Sequence, residues 1–249
     1  MGKNKIIGLV LMMIALAIIA ISWSSSKDTV APKPIDDPTI LSYAIDLEKD
    51  PLIFYSTDES GVSFENHGRL KQWLAGKDEK LIFAMNGGMY LPDLSPQGLY
   101  IEDGIKKKNI DRKREGYGNF YLSPNGVFYI TDDLRAFVVT TENYVEKENH
   151  RYATQSGPML LINGEIHPKF NEGSTNLHIR NGVGVLPNGQ VLFAMSKEKI
   201  NFFHFAEFFQ KHGCRNALYL DGFVSRTYLP GKNWVQEDGR YGIIIAQVE

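Results

Sequence analysis

The sequence is poor in cysteine, because Cys214 is the only one among 249 residues. No disulfide bond can therefore form within the chain. Cys214 lies between a predicted helix end and a predicted strand, where we expect a small buried side chain rather than a nucleophile. No cysteine follows the apolar run near the N-terminus, which argues against lipid attachment there.

The sequence also lacks a strong charge of either sign, with 27 basic and 29 acidic residues and a formal net charge of −2. Dense basic stretches occur only at residues 106–108 and 112–114. We expect these stretches to lie in a solvated loop, although a groove for an anionic sugar or phosphate is the alternative. Nucleic acid is not a predicted partner.

Residues 6–21 form an uncharged apolar run behind the basic residues Lys3 and Lys5. The run is shorter than the ~20 residues that a membrane span needs, so residues 1–23 are predicted to be a cleaved signal peptide or an uncleaved signal anchor. Basic residues stay on the cytoplasmic side of a membrane. The working domain is therefore expected in the periplasm or at the cell surface, with membrane contact through residues 6–21.

The remaining chain is predicted to be a short tether followed by one domain. Residues 24–38 are rich in serine and proline, which is typical of a linker. Residues 39–249 fit a single α+β domain with a mixed or antiparallel sheet and a few flanking helices. Strands are predicted at 40–47, 52–55, 81–85, 98–104, 136–141, 191–195 and 217–220, with hairpins at 120–130 and around 163–164.

Two segments share one pattern, in which a helix and a glycine precede a short apolar strand, a polar residue and another glycine. The first runs from Ser63 to Gly88 and the second from Asn201 to Gly222. We hypothesise that the two strand ends lie side by side and present Asn86 and Asp221 to one cleft. The alternative is that both are ordinary turn residues, since Asn-Gly and Asp-Gly are common turn dipeptides.

His178 and Arg180 alternate in a predicted strand and would point to the same face. A guanidinium beside an imidazole suits a phosphate or carboxylate oxygen, because the guanidinium forms bidentate hydrogen bonds and the imidazole exchanges a proton near neutral pH. An exposed strand face with two polar residues is the alternative. The nearby Gly182 and Gly184 favour close backbone approach.

Ser156 precedes a glycine but lacks the glycine two positions earlier that a nucleophile elbow uses. The sequence therefore argues against a serine hydrolase. We expect Ser156 to form a hydrogen bond in a tight turn.

The order of the motifs resembles that of the phosphodiester glycosidase family, which includes the lysosomal uncovering enzyme, an N-acetylglucosamine-1-phosphodiester alpha-N-acetylglucosaminidase. The resemblance rests on the ordered set and spans about residues 81–228. Residues 223–226 (FVSR) resemble the short bacterial envelope branch of the family. The motifs are 86–90 (NGGMY), 98–104 (GLYIEDG), 156–158 (SGP), 180–184 (RNGVG) and 220–222 (LDG) with Ser225.

The resemblance implies hydrolysis of a sugar 1-phosphodiester in an envelope or exopolysaccharide glycan. It implies Asp221 as nucleophile or base, Arg180 with His178 as the phosphate clamp, and Asn86 and Ser156 as orienting groups. The other substrate-binding candidates are Gly87, Tyr90, Gly157, Gly222 and Ser225.

A second carboxylate is not identified by the motifs, and its candidates are Asp93, Glu102, Asp103 and Glu165. No cofactor is predicted, and no metal site, because no clustered histidine and carboxylate spacing of ligand type occurs. Two other functions remain open: an envelope-tethered protein that binds a glycan or phosphoglycan without turnover, and a phosphodiesterase that cuts the P–O bond.

Overall fold

The computed structural model describes residues 37–221 and 224–249. The predicted signal segment and apolar run lie outside these residues, as do most of the predicted tether and Gly222. Within the described part of the chain, no helix is long and apolar enough to cross a membrane.

Sixteen strands and two α-helices follow one another along the described residues. The strands are β1 Ile40–Ile45, β2 Leu52–Tyr55, β3 Leu81–Asn86, β4 Tyr100–Glu102, β5 Ile105–Lys108, β6 Gly126–Thr131, β7 Ala136–Thr140, β8 His150–Ser156, β9 Met159–Ile162, β10 Glu165–Ile166, β11 Asn181–Val185, β12 Val191–Ser196, β13 Ala217–Tyr219, β14 Thr227–Leu229, β15 Trp234–Val235 and β16 Ile244–Val248. The helices are α1 His67–Ala75 and α2 Phe202–Lys211.

The strands form three sheets in which the described pairings are antiparallel, as the sequence predicts for one α+β domain. The first sheet has the order β1-β12-β11-β13-β9-β10, the second β15-β14-β3-β16-β2 and the third β5-β4-β8-β6-β7. Aromatic and aliphatic side chains from all three sheets share one buried cluster, including Phe54, Phe83, Phe128 and Phe193. The main core therefore lies where the three sheets meet.

Each helix packs on one sheet through a predicted apolar face. Phe205, Ala206 and Phe209 of α2 are buried in a cluster with side chains of the first sheet, which confirms the helical spacing of the aromatic residues. Leu70 and Leu74 of α1 are buried against the second sheet. An asparagine caps the start of each helix: Asn66 accepts from Arg69 N at 3.0 Å and Asn201 from His204 N at 2.9 Å.

Cys214 is buried as expected, and burial raises the pKa of its thiol to about 12. The thiol therefore stays protonated at neutral pH and behaves as a small core side chain.

One strand prediction and one loop prediction in this part of the chain are wrong. Residues 120–122 do not form the first strand of a hairpin; Asn119–Tyr121 is a 3-10 turn that buries the Phe120 ring, and Asn125 Nδ2 bonds the Phe120 carbonyl at 2.9 Å. Residues 106–108 are not a loop, because they belong to β5. There the basic side chains of Lys106 and Lys107 pair with Glu146 and Glu102, which satisfies their charge.

Candidate active site

Asn86 and Asp221 meet at the ends of two strands that belong to different sheets. Asn86 is the last residue of β3 in the second sheet, and Asp221 follows β13 of the first sheet. Asn86 Nδ2 donates a hydrogen bond of 2.9 Å to Asp221 Oδ2. The predicted meeting of the two side chains is confirmed, but the strands are not neighbours in one sheet. The side chains are also buried, at 1% and 4% exposure, rather than displayed in an open cleft.

Both the oxygen and the nitrogen of the Asn86 side-chain amide form two hydrogen bonds within the protein. Its Oδ1 accepts from the backbone N–H of Arg226 at 2.7 Å and from Asn181 Nδ2 at 3.0 Å, while Nδ2 donates to Asp221 and to the Val224 carbonyl. A backbone N–H can only donate, so the Arg226 contact determines which end of the amide faces the carboxylate. This geometry suits Asn86 to orienting Asp221.

Asn181, the first residue of β11, joins the parts of this site and was not singled out by the sequence analysis. Its Nδ2 donates to the carbonyl and to Oδ1 of Asn86, both at 3.0 Å. Its Oδ1 accepts from the backbone N–H of Asp221 at 3.1 Å and from Ser225 Oγ at 3.5 Å. The signal in the sequence was an amide residue directly before a run of only glycine and valine, and the structure buries that amide completely.

Ser156 forms a hydrogen bond with the backbone just after β13. Its buried hydroxyl donates to the carbonyl of Leu220 at 2.5 Å, directly before Asp221. The hydroxyl thus holds the backbone that carries Asp221. The predicted hydrogen bond is present, but Ser156 is the last residue of β8 rather than part of a tight turn.

Arg180 and His178 have different environments. Arg180 is 1% exposed; its Nε donates to Ile200 O at 2.8 Å, its Nη2 to Asn176 O at 2.8 Å, and its guanidinium stacks on the Phe202 ring at 3.5 Å. His178 is exposed and forms a backbone bridge with Ile200. Because β11 begins at Asn181, the predicted strand over residues 176–180 is wrong, and the expected shared face of the two side chains is not formed.

The remaining predicted site residues are spread around this centre. Tyr90 OH donates to Arg240 O at 2.7 Å, and burial, followed by the charge of Asp221, raises the pKa of the phenol. Ser225 is buried, and its hydroxyl donates to Ile179 O at 3.3 Å.

Gly87 and Gly157 occupy positions of close packing rather than open space. A Cβ on Gly87 would lie 2.6 Å from the Ile243 side chain, and one on Gly157 would lie 2.6 Å from Asn125 Cβ. A larger residue at either position would therefore displace its neighbours.

The candidate second carboxylates are occupied elsewhere or exposed. Glu102 accepts from the hydroxyls of Ser56 and Tyr100, at 2.8 and 2.6 Å. Asp103 pairs with Arg151, Asp93 accepts from Ser95 in a turn, and Glu165 is exposed on β10. Over residues 37–221 and 224–249 no three histidine, cysteine, aspartate or glutamate side chains cluster to hold a metal ion.

Solved structures with similar folds come from distant proteins. One is the zebrafish N-acetylglucosamine-1-phosphodiester alpha-N-acetylglucosaminidase catalytic domain, auto-inhibited by its pro-peptide, at 17% identity and a TM-score of 0.49 over 85% of this chain and 84% of that chain. Another is a hypothetical protein from Synechocystis, at 12% identity and a TM-score of 0.52 over 84% of this chain and 59% of that chain.

Sequence comparison identifies closer relationships. The chain is 34% identical over 202 residues to the uncharacterized protein YigE of Escherichia coli strain K12, which covers 79% of this chain and 78% of that protein. Residues 79–242, which contain Asn86, Asn181 and Asp221, match the family described as phosphodiester glycosidase. The chain therefore belongs to the phosphodiester glycosidase family.

Proposed function

We propose that this protein hydrolyses a sugar 1-phosphodiester, with Asp221 as the carboxylate that acts at the anomeric carbon. The observation that carries the proposal is the buried Asp221, whose Oδ2 accepts from Asn86 and whose backbone N–H donates to Asn181. A carboxylate held in this way is oriented before the substrate arrives, which is what a nucleophile or base requires. Family membership supports the reaction class.

The reaction breaks the bond between C1 of the sugar and the phosphate oxygen. The electron pair of that bond leaves with the phosphate, and an oxocarbenium-like transition state develops at C1. Asp221 either attacks C1 or removes a proton from the water that attacks it. Water finally supplies a hydroxyl group to C1, so the products are the free sugar and a phosphate monoester.

Arg180 supplies the positive charge in this proposal. A guanidinium remains protonated in proteins, and negative charge grows on the departing phosphate as the C1–O bond breaks. Phe202 supports the guanidinium face, so Arg180 is held in one orientation. Because Asp221 is only 4% exposed, sugar binding requires a local opening beside it.

We also propose that the enzyme works outside the cytoplasmic membrane on envelope or exopolysaccharide glycan, from the basic start and apolar run at residues 1–21. Alkaline phosphatase fused after residue 38 should be active in bacterial cells. An inactive fusion that becomes active only when it is directed outward by a known signal would contradict this location.

The decisive experiment compares the full-length wild type with Asp221→Asn on sugar 1-phosphodiesters and nucleoside diphosphate sugars. The substitution keeps the side-chain shape and removes the negative charge, so release of free sugar should fall by about 10³-fold or more. Asn188→Asp exchanges an amide for a carboxylate in an exposed loop, and this control variant should release free sugar at the wild-type rate.

The same assay in ¹⁸O-labelled water distinguishes the other two functions. Label in the sugar supports cleavage at C1, whereas label in the phosphate identifies a phosphodiesterase and contradicts the proposal. Glycan binding by both proteins without turnover by either would identify a binding protein instead.

A further inference from the structure

The hydroxyl of Tyr219 is a buried polar group that donates no hydrogen bond to a residue that the structure describes. Tyr219 is the last residue of β13 and is fully buried, and the side chain that interacts with its hydroxyl is the Arg180 guanidinium, which can only donate. Burying a polar group that does not form its hydrogen bonds is unfavourable. A phenylalanine would fill the same space without this cost, and a bound group that accepts from the hydroxyl would offset it.

The surroundings of Tyr219 place this hydroxyl between opposite charges. The Phe202 ring packs edge-on against the Tyr219 ring, with 4.8 Å between centroids. Arg180 stacks on the same Phe202 ring, and its Cζ lies 5.6 Å from the Tyr219 centroid. Asp221 follows only two residues after Tyr219. The phenol therefore lies beside the cation and carboxylate of the proposed reaction.

The charge state of Tyr219 makes it a donor. Burial raises the pKa of the phenol most; the Arg180 guanidinium opposes this effect, and the Asp221 carboxylate adds to it, so that the pKa stays well above its usual range. The hydroxyl consequently keeps its proton at all physiological pH values. It can donate a hydrogen bond to an anion but cannot act as the nucleophile or base.

Arg180 has donor capacity left beside this hydroxyl. A guanidinium has five N–H donors. Nε and Nη2 of Arg180 donate three hydrogen bonds to Ile200 and Asn176, and the guanidinium also interacts with the Tyr219 hydroxyl. An oxygen anion placed there would accept from a guanidinium and a phenol at once. Charge-assisted hydrogen bonds of this kind are the stronger ones in proteins.

We propose that Tyr219 OH and Arg180 form the phosphate subsite of the enzyme, in which Tyr219 donates a hydrogen bond to the phosphate oxygen that leaves C1. The inference rests on the proposed function and adds a catalytic residue to it. Tyr219 stabilises the charge that grows on this oxygen, while its own proton stays on the phenol. The phosphate monoester then leaves as an anion.

Access to the subsite involves the exposed segment over residues 171–179. Asn176 in this segment accepts from Arg180 Nη2 through both its backbone carbonyl and its side-chain carbonyl. A phosphate carries negative charge and both of these acceptors are neutral, so a phosphate competes well for the guanidinium. Substrate binding is therefore expected to shift residues 171–179 away from Arg180.

The test compares full-length wild type with Tyr219→Phe, which removes only the hydroxyl. We expect turnover of a sugar 1-phosphodiester to fall by about 10²-fold, as for the loss of one donor to a developing anion. The loss should be greater for substrates whose phosphate is a poorer leaving group, a trend that a merely structural role would not produce. The melting temperature should stay equal or rise, because the hydroxyl donates no hydrogen bond to the described residues that the substitution would remove.

Tyr144→Phe is the matched control. Tyr144 is also buried, but its hydroxyl is 2.8 Å from His150 Nδ1, away from the proposed site. This variant should lose stability and keep its turnover. A Tyr219→Phe enzyme with wild-type turnover and the same leaving-group dependence would overturn the proposal.

Calorimetric titration with inorganic phosphate separates the subsite from the reaction. We expect phosphate to bind wild type about tenfold more tightly than Tyr219→Phe, a difference that one hydrogen bond to an anion can supply. If wild type turns over no sugar phosphodiester but shows this difference, the subsite stands and the proposed reaction fails. Equal phosphate affinity of the two proteins, or no binding to either, would overturn the subsite even in an active enzyme.

Discussion

Asn86 Nδ2 and Asp221 Oδ2 are 2.9 Å apart although the residues are separated by 135 positions in the chain. The amide has no spare donor for a substrate, because its second N–H bonds the Val224 carbonyl. We therefore expect Asn86 to act through Asp221, as a positioning residue.

Replacing Asn86 by aspartate should both inactivate and destabilise the protein. The change places a second carboxylate against Asp221 in a buried site and removes the donor to Val224 O. We expect kcat to fall by about 10²-fold or more and the free energy of unfolding to fall by about 3 kcal/mol. Steady-state kinetics and urea unfolding measure the two effects. Wild-type kcat in this variant would show that the contact does not orient Asp221.

Replacing Asn181 by alanine should disconnect the two strand ends. The variant loses the bonds to Asn86 and the bond that Asn181 Oδ1 accepts from the backbone N–H of Asp221. We expect kcat to fall about tenfold to a hundredfold while KM changes little, and stability to fall by about 2–3 kcal/mol. Asn188→Ala, at an exposed loop, is the control. An Asn181→Ala enzyme that lost affinity but kept kcat would point to direct contact with substrate.

Replacing Ser156 by alanine distinguishes a supporting hydroxyl from a nucleophile. The hydroxyl donates to Leu220 O, so its loss should cost about 1 kcal/mol of stability. Turnover should remain within about tenfold of wild type. A nucleophile would instead lose about 10³-fold or more on removal of its oxygen. The comparison requires only kinetics and thermal unfolding of the two proteins.

The stability of the protein should fall between neutral pH and pH 4 because of His67 at the start of α1. His67 is fully buried, its Nδ1 is 3.0 Å from Gln236 O, and burial lowers its pKa to about 4. The unfolded chain binds a proton at a pKa of about 6.5. Stability is thus complete above pH 6.5 and is lost as the pH falls towards 4, by about 3 kcal/mol from this residue.

Urea unfolding at several pH values measures this dependence. His67→Gln should show a shallower decrease in the free energy of unfolding over the same range than wild type, whatever its stability at pH 7. Equal slopes for the two proteins would show that another group causes the acid sensitivity.

Much of the local structure was predictable because it depends on neighbours in the chain. The spacing of the phenylalanines in α2 predicts its buried face, and Gly213 takes a positive φ of 79° just after that helix. The apolar runs before Asn86 and Asp221 are strands, as predicted. The strand predicted at residues 120–122 is wrong, because burial of Phe120 and the bond from Asn125 favour a turn over a strand there.

The sequence by itself determined most of the strands, the helix faces, the lone thiol and the ordered motifs that indicate the family. Only the tertiary structure decided that Asn86 is fully bonded, that Asn181 links the two strand ends, and that the Tyr219 hydroxyl lies beside Arg180. The physical reason is the separation along the chain of the residues that interact. Side-chain periodicity is a local property of the chain, whereas these contacts form where two separate sheets meet and depend on how their strands are paired and packed.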